Sequence, residues 1–373
     1  PLLSEAVVKF QAETMQATFP AAGPVKTQII GKETPEKKAA AVRVQEDMNY
    51  QLTDVMNEYR PEHERMLYSL GLAGAAFKKV YYDPTMGRQA AIFIPAEDVI
   101  IPYGASSAMT SERVTHIMRK TKNDIRKLQV SGFYLDCDLG DPLQFYTDVE
   151  KKKAEDQGYN LTDDDRYQIY EIHVDYDLPG YEDEDGIALP YVITLERGTT
   201  EILSIRRNWA EDDEHRIKRQ HFVQYTYIPG FGAYGLGLIH FLGNLTMTAT
   251  AAMRSLVDAG QFANLQGGFK AKGVRIVGAN DPIAPGEWKE VEAVGNDLTK
   301  MIIPLPYKEP SQTLFQMLQF ISVAAQKFAD STEQVISDSG NYGPVGTTMA
   351  LLEASSKFFS AIHKRLHKSQ KEE

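Results

Sequence analysis

Apolar positions follow a helical period at both ends of the chain and a period of two in its middle. Leu3, Ala6, Val7, Phe10, Met15 and Phe19 share one face of a helix predicted over Leu2 to Phe19, which Pro20 stops. Val25 to Ile30 reads as a short strand ended by Gly31. Glu36 to Leu70 predicts a long helical stretch, broken where Pro61 enters the first turn of a new helix and ended by Gly71 and Gly74.

The middle is strand-rich. Ala76 to Tyr82 and Ala90 to Ile94 flank the turn Asp83-Pro84-Thr85-Met86-Gly87, and Val99 to Pro102 and Val114 to Met118 continue the pattern. Asn123 to Val130 is a short helix. Tyr167 to Tyr176, Tyr191 to Glu196, Ile202 to Arg207 and Arg219 to Tyr227 read as one antiparallel set. Alternation is clearest in Tyr167, Ile169, Glu171, His173 and Asp175.

After Gly237 the helical period returns. Leu238, Leu242, Leu245, Ala249, Ala252, Leu256 and Ala259 recur at spacings of four and three, the seam of a long packed helix. Gly243, Asn244, His240 and the threonines make it a poor membrane span. Gly267 to Tyr307 is a compact insert of short β runs punctuated by Gly and Pro. A second helix follows Ser311 to about Ile336, with Leu314, Leu318, Ile321, Ala325, Phe328 and Val335 on one side. Ser337 to Gly346 carries glycines and Pro344 and cannot be helical; a third helix begins near Thr347. The expected class is α+β: helix, β insert, helix, Gly-rich loop, helix, behind a larger α/β region.

Charge sharpens this layout. The 373 residues hold 40 basic and 51 acidic side chains, a net charge of −11. Residues 238–373 hold 13 of each, so the entire imbalance lies before Leu238. No Asp, Glu, Lys or Arg occurs from Gln220 to Met253. This balance argues against a protein that grips nucleic acid over a broad basic surface. The single cysteine, Cys137, excludes an internal disulfide and lies between Asp136 and Asp138, which disfavour its thiolate. The chain starts at Pro1 with no visible signal peptide and ends within an uncapped helical run, as expected of a segment of a longer protein.

Catalytic chemistry is sparse. Gly230-Phe231-Gly232-Ala233-Tyr234-Gly235 matches the dinucleotide pattern between a strand and a helix, but no second parallel strand follows, and Asp258 lies inside the helix. A flexible joint accounts for it better. His363 and His367 share a helix face without the neighbouring Glu of a zinc protease. There is no phosphate-binding Gly-x-x-x-x-Gly-Lys loop and no Gly-x-Ser-x-Gly elbow. Neither an enzymatic role nor a cofactor is expected. Lys270, Lys272 and Arg275 form one small basic cluster, and Lys364, Arg365, Lys368 and Lys371 another; a solvated face is the simpler account of each.

Three stretches carry a resemblance: Pro1 to Ala6 continuing through Phe19 to Thr27, Tyr234 to Gly260 with Asn264 to Lys270, and Pro344 to Thr348 with Leu351 to Glu353. With the C-terminal layout they resemble the portal proteins of short-tailed, podovirus-type bacteriophages. The resemblance covers most of the chain, strongest from Gly230 onward, and lacks the C-terminal helical crown. It implies a wing over residues 1–237, stem helices over 238–265 and 311–336, a clip over 266–310, a tunnel loop over 337–346 and a wing helix over 347–373.

The resemblance further implies a ring of typically twelve copies at one capsid vertex of the virion, assembled in the host cytoplasm. Double-stranded DNA passes through such a ring. A large terminase and then a tail adaptor or head-completion protein dock on it, and capsid and scaffold proteins surround it, with no membrane involved. Ser339, Gly340, Asn341, Tyr342, Gly343, Pro344 and Val345 would face DNA. Lys270, Lys272 and Arg275 would sit at the channel mouth. Leu242, Leu245, Ala249, Leu256, Leu318 and Ile321 would pack the stem and ring. The other readings are a tail or connector ring protein, and an enzyme binding a nucleotide at Gly230 to Gly235.

Overall fold

The computed structural model describes residues 2–84, 86–143, 146–159, 161, 165–184, 186–264, 268–270, 275–276, 291–292, 302–304, 311–329 and 360–373. The protein is mixed α+β and divides into two compact units. The larger comprises Leu3–Phe241 and Ala329–Glu373, the smaller chiefly Leu242–Phe328.

In the larger unit, α1 (Leu2–Thr18) ends where Pro20 would continue it. The predicted strand over Val25 to Ile30 does not form. Its backbone lies against α2 (Pro35–Tyr50) and takes partners from side chains instead of a neighbouring strand. Val25 N–H donates to Asn49 Oδ1 at 2.9 Å, Asn49 Nδ2 donates to Val25 O at 3.1 Å, and Thr27 N–H donates to Gln45 Oε1 at 3.2 Å. These amides satisfy backbone groups that a ladder would otherwise serve. A π-helical turn, Gln51–Val55, ends the helical run. Then α3 (Tyr59–Ala73) begins with Pro61 in its first turn and stops at Gly74 in the left-handed region (φ 92°).

Two antiparallel sheets follow. The first has the order β2-β1-β8, with β1 (Ala75–Asp83) central, β2 (Arg88–Pro95) its hairpin partner and β8 (Phe222–Thr226) on the other edge. The second has the order β3-β4-β5-β6-β7: Val99–Ile100, Arg113–Lys120, Tyr167–Tyr176, Leu189–Glu196 and Ile202–Arg207. The run near Arg219 to Tyr227 therefore leaves the antiparallel set expected of it and closes the other sheet. Helix α3 packs on β1 and β2. Helix α4 (Lys122–Val130) covers part of the second sheet, where Ile125 joins Tyr134, Leu139, Tyr167, Ile169 and Leu203 in one core. A second core, with Phe77, Ile94, Val99, Val114 and Phe222, joins the two sheets.

One helix was not foreseen. α5 (Asp148–Asp156) is opened by a full capping box in which the Thr147 hydroxyl accepts from Glu150 N–H while the Glu150 side chain accepts from Thr147 N–H. A final helix, α8, spans residues 360–372 of the larger unit, with Ile362 and Leu366 buried. It lies beside the edge strand β8. Ser369 Oγ donates to Gln224 O and Arg365 donates to Tyr227 O, both at 2.8 Å, using carbonyls at an edge.

Helix α6 (Leu238–Asn264) starts as expected after Gly237 and runs into the smaller unit. There two short two-stranded ladders form. β9 (Gly268–Lys270) pairs with β12 (Ile302–Pro304), and β10 (Arg275–Ile276) pairs with β11 (Val291–Glu292). Helix α7 (Gln312–Ala329) follows. No described helix is long and apolar enough to cross a membrane.

Candidate functional site

The helices around the short ladders carry six of the residues singled out by sequence. Leu242, Leu245, Ala249 and Leu256 lie on α6, Leu318 and Ile321 on α7. Leu242 and Ile321 are buried and the other four half-buried. Both helices also expose large apolar side chains: Met247, Met253 and Val257 on α6, and Phe315, Met317, Phe320 and Val323 on α7. Phe320 is 75% exposed and Met247 73%. Lys270 ends β9 and Arg275 begins β10. Lys272 and the seven loop residues Ser339 to Val345 lie outside the described residues.

The Gly230–Gly235 turn packs backbone on backbone. Ile228 and Leu236 close it with an isolated bridge, and Tyr227 N–H donates to Gly74 O at 3.0 Å. A methyl group on Gly74 would overlap Leu236 and Gly237, and one on Gly235 would overlap Gly74 O and meet Ile228 O at 2.8 Å. Glycine is needed here because the end of α3 and the start of α6 touch through main chain. At the start of α6, Gly237 N–H donates to His240 Nδ1 at 3.0 Å, so this amide is occupied by the chain itself. Of the turn's glycines Gly230, Gly232 and Gly235, only Gly232 faces open space.

The two histidines singled out by sequence lie on α8. His363 is half-buried, His367 exposed, and among the described residues no group of three His, Cys, Asp or Glu could hold a metal ion. Burial, then Glu201 and Asp136, push the Cys137 thiol up.

Sequence reasoning missed a buried charged layer between the sheets. Lys79 Nζ lies 2.6 Å from Glu171 Oε1, and His173 Nε2 lies 2.8 Å from the same oxygen. His173 stands edge-on to Phe222 and to His221, whose Nε2 is 3.1 Å from Asn208 Oδ1. His116, paired across strands with Glu171, is 6% exposed, and its Nδ1 is buried without a hydrogen-bond partner. Burial pushes the Glu171 carboxyl up, but Lys79 and the His173 hydrogen bond outweigh it and hold the group well below the carboxylate range. Burial, then Lys79, push His116 down to about 3, so the ring is neutral at ordinary pH. The signal was present in the alternation of Glu171 and His173; nothing local named Lys79 as their partner.

Beside this layer a cleft of about 570 Å³ opens between the β1–β2 hairpin and α4. His116, Glu171 and Lys79 border it, with Phe93, Phe133 and Tyr134 among its walls and Lys120 and Lys127 among its cations. No protein-family model matches this chain, and no curated protein matches it in sequence.

Proposed function

We propose that the chain is a subunit of a bacteriophage portal ring, a conduit for double-stranded DNA during packaging and ejection. The observation that carries this reading is the apolar surface that one copy leaves open on α6 and α7. Phe320, Met247 and their neighbours form exposed faces on two helices joined by short ladders, the surface that a further copy would cover. A closed ring uses such heterologous contacts, one face of each copy against a different face of the next. In this reading the larger unit is the wing, α6 and α7 are stem helices, and the short ladders belong to the clip that meets terminase and then the tail adaptor. The loop from Ser339 to Val345 lines the tunnel. The acidic balance suits a surface that lets DNA slide, because each phosphate neutralised by Lys or Arg adds affinity and therefore drag.

Particle mass and negative-stain images of the purified chain test the reading. Closed rings of about twelve copies, the number the resemblance implies, with a central channel are the expected outcome. A monomer or dimer at high concentration would overturn it.

A further inference from the structure

We propose that the cleft between the β1–β2 hairpin and α4 is a binding site for a small oxyanion, a carboxylate or phosphate, carried on an apolar body. This inference is independent of the portal reading.

The cleft exists because one face of the five-stranded sheet is covered twice. Near Val114 and His173 the other sheet lies on it through Phe222; near Ile169 and Tyr167 α4 and Tyr134 do. His116, Met118 and Lys120 fall between the two covers on β4, with Glu171 beside them on β5. The walls are aromatic and aliphatic: Phe93 and Ile92 from the hairpin, Phe133, Tyr134 and Leu128 from the other side.

The polar groups select the ligand's charge. Glu171 is committed to Lys79 and His173. Lys120 is half-buried and makes no ion pair or hydrogen bond with any described residue. Burial and the nearby Lys79 both disfavour its charge, while Asp124, Glu171 and Asp83 favour it more weakly. The cleft also carries Asp83, Asp98 and Asp124. Asp83 accepts from Met86 N–H at 3.3 Å, Asp98 lies 4.0 Å from Arg119 and Asp124 accepts from the Thr121 hydroxyl at 2.7 Å. A cationic ligand would therefore meet carboxylates that already have partners, and Lys120. A wholly apolar one would desolvate the Lys120 amine without giving it a partner, which is costly. An oxyanion gives the Lys120 ammonium a charge-assisted partner, and an apolar body covers the aromatic walls.

Calorimetric titration of the intact chain with benzoate, phenyl phosphate, inorganic phosphate and benzylamine tests this. Benzoate or phenyl phosphate should bind, and which of the two is tighter identifies the oxyanion. Benzylamine should not bind. Lys120→Met, which keeps the stem and removes the charge, should weaken binding about tenfold or more, the worth of a charge-assisted hydrogen bond. Lys127→Met, at the exposed rim, should change it less than about twofold. Lys120→Met must retain the parent unfolding midpoint, and Tyr134→Ala supplies a second variant that should weaken binding through the wall. Failure of both anions to bind at about 10 mM, well above ordinary ligand affinities, would overturn the site. So would equal binding of benzylamine, insensitivity to both Lys120→Met and Tyr134→Ala, or inorganic phosphate binding as tightly as phenyl phosphate.

Discussion

Lys78 and Lys79 leave the central strand β1 on opposite faces, and each ends on its own glutamate. Lys78 Nζ lies 2.8 Å from Glu373 Oε1, with side chains 0% and 5% exposed. Lys79 meets Glu171 on the other side. Period-two geometry makes two consecutive lysines serve two different interfaces. One ties α8 to the three-stranded sheet; the other ties the two sheets together.

Removing one partner of the Lys78–Glu373 pair should cost far more than removing both. Tyr225 OH donates to Glu373 Oε2 at 2.5 Å, and the Lys78 ammonium sits 4.0 Å from the centre of the Tyr59 ring. Lys78→Met would leave a carboxylate desolvated and should destabilise the larger unit by about 3–5 kcal/mol. Lys78→Met combined with Glu373→Leu should lose less than either single change. Urea unfolding of the four proteins in the cycle measures this, and additive losses would show that the two groups act separately.

Acid should weaken the fold well before the carboxylates protonate. His116 has an ordinary value of 6.5 and about 3 when folded, so the unfolded chain takes up its proton first as pH falls. Stability is then lost between pH 6.5 and 3, by about 5 kcal/mol at the lower limit from this residue alone. His63 and His173 are lowered in the same direction, chiefly by burial. Glu171, also lowered, adds its loss only below its ordinary value of 4.5. Unfolding midpoints measured from pH 7 to 4 should fall steadily, and His116→Gln should flatten the slope. An unchanged slope would mean that His116 is charged in the folded protein.

The glycines near residue 230 should differ sharply from one another. Gly74→Ala combines an overlap with Leu236 and Gly237 with a left-handed φ of 92°, and Gly235→Ala forces a methyl against Gly74 and Ile228. Each should cost at least about 1–3 kcal/mol, the usual cost of overpacking. Gly232→Ala meets nothing within 4 Å and should be neutral within about 0.5 kcal/mol. Chemical unfolding of the three variants checks the order. A loop kept for a phosphate would not spare Gly232 while penalising Gly74, which lies outside the motif.

The elements visible in the sequence were those whose own side chains fix them. The seam from Leu238 onward, the hairpin around Asp83 to Gly87 and the stop at Gly74 each rest on local periodicity or turn chemistry. Pairing partners were not visible. Phe222 to Thr226 alternates like a member of either sheet, and only its register with β1 decides. Val25 to Ile30 has strand composition, yet Asn49 and Gln45 take the place of a neighbouring strand. Helix α5 buries only Ala154, so it had no apolar period to show, although Thr147 and Glu150 carried the capping signature. The Lys79–Glu171 contact joins residues 92 apart and depends on how two sheets face one another.

Charge placed on the open faces of α6 and α7 should separate assembly from folding. Phe320 is 75% exposed and Met253 49%, so Glu at either position costs the isolated subunit little. In a ring the same carboxylate would be buried between copies, where an unpaired charge costs several kcal/mol at each repeated interface. Because a closed ring needs every interface, that cost recurs around the circle. Phe320→Glu should therefore shift the purified chain from rings to single subunits while leaving its unfolding midpoint nearly unchanged. Ile321→Glu, one residue on but buried, should instead lower the midpoint itself. Light scattering paired with thermal unfolding reads both. Rings that persist in Phe320→Glu would remove this face from the interface and with it the observation on which the portal reading rests.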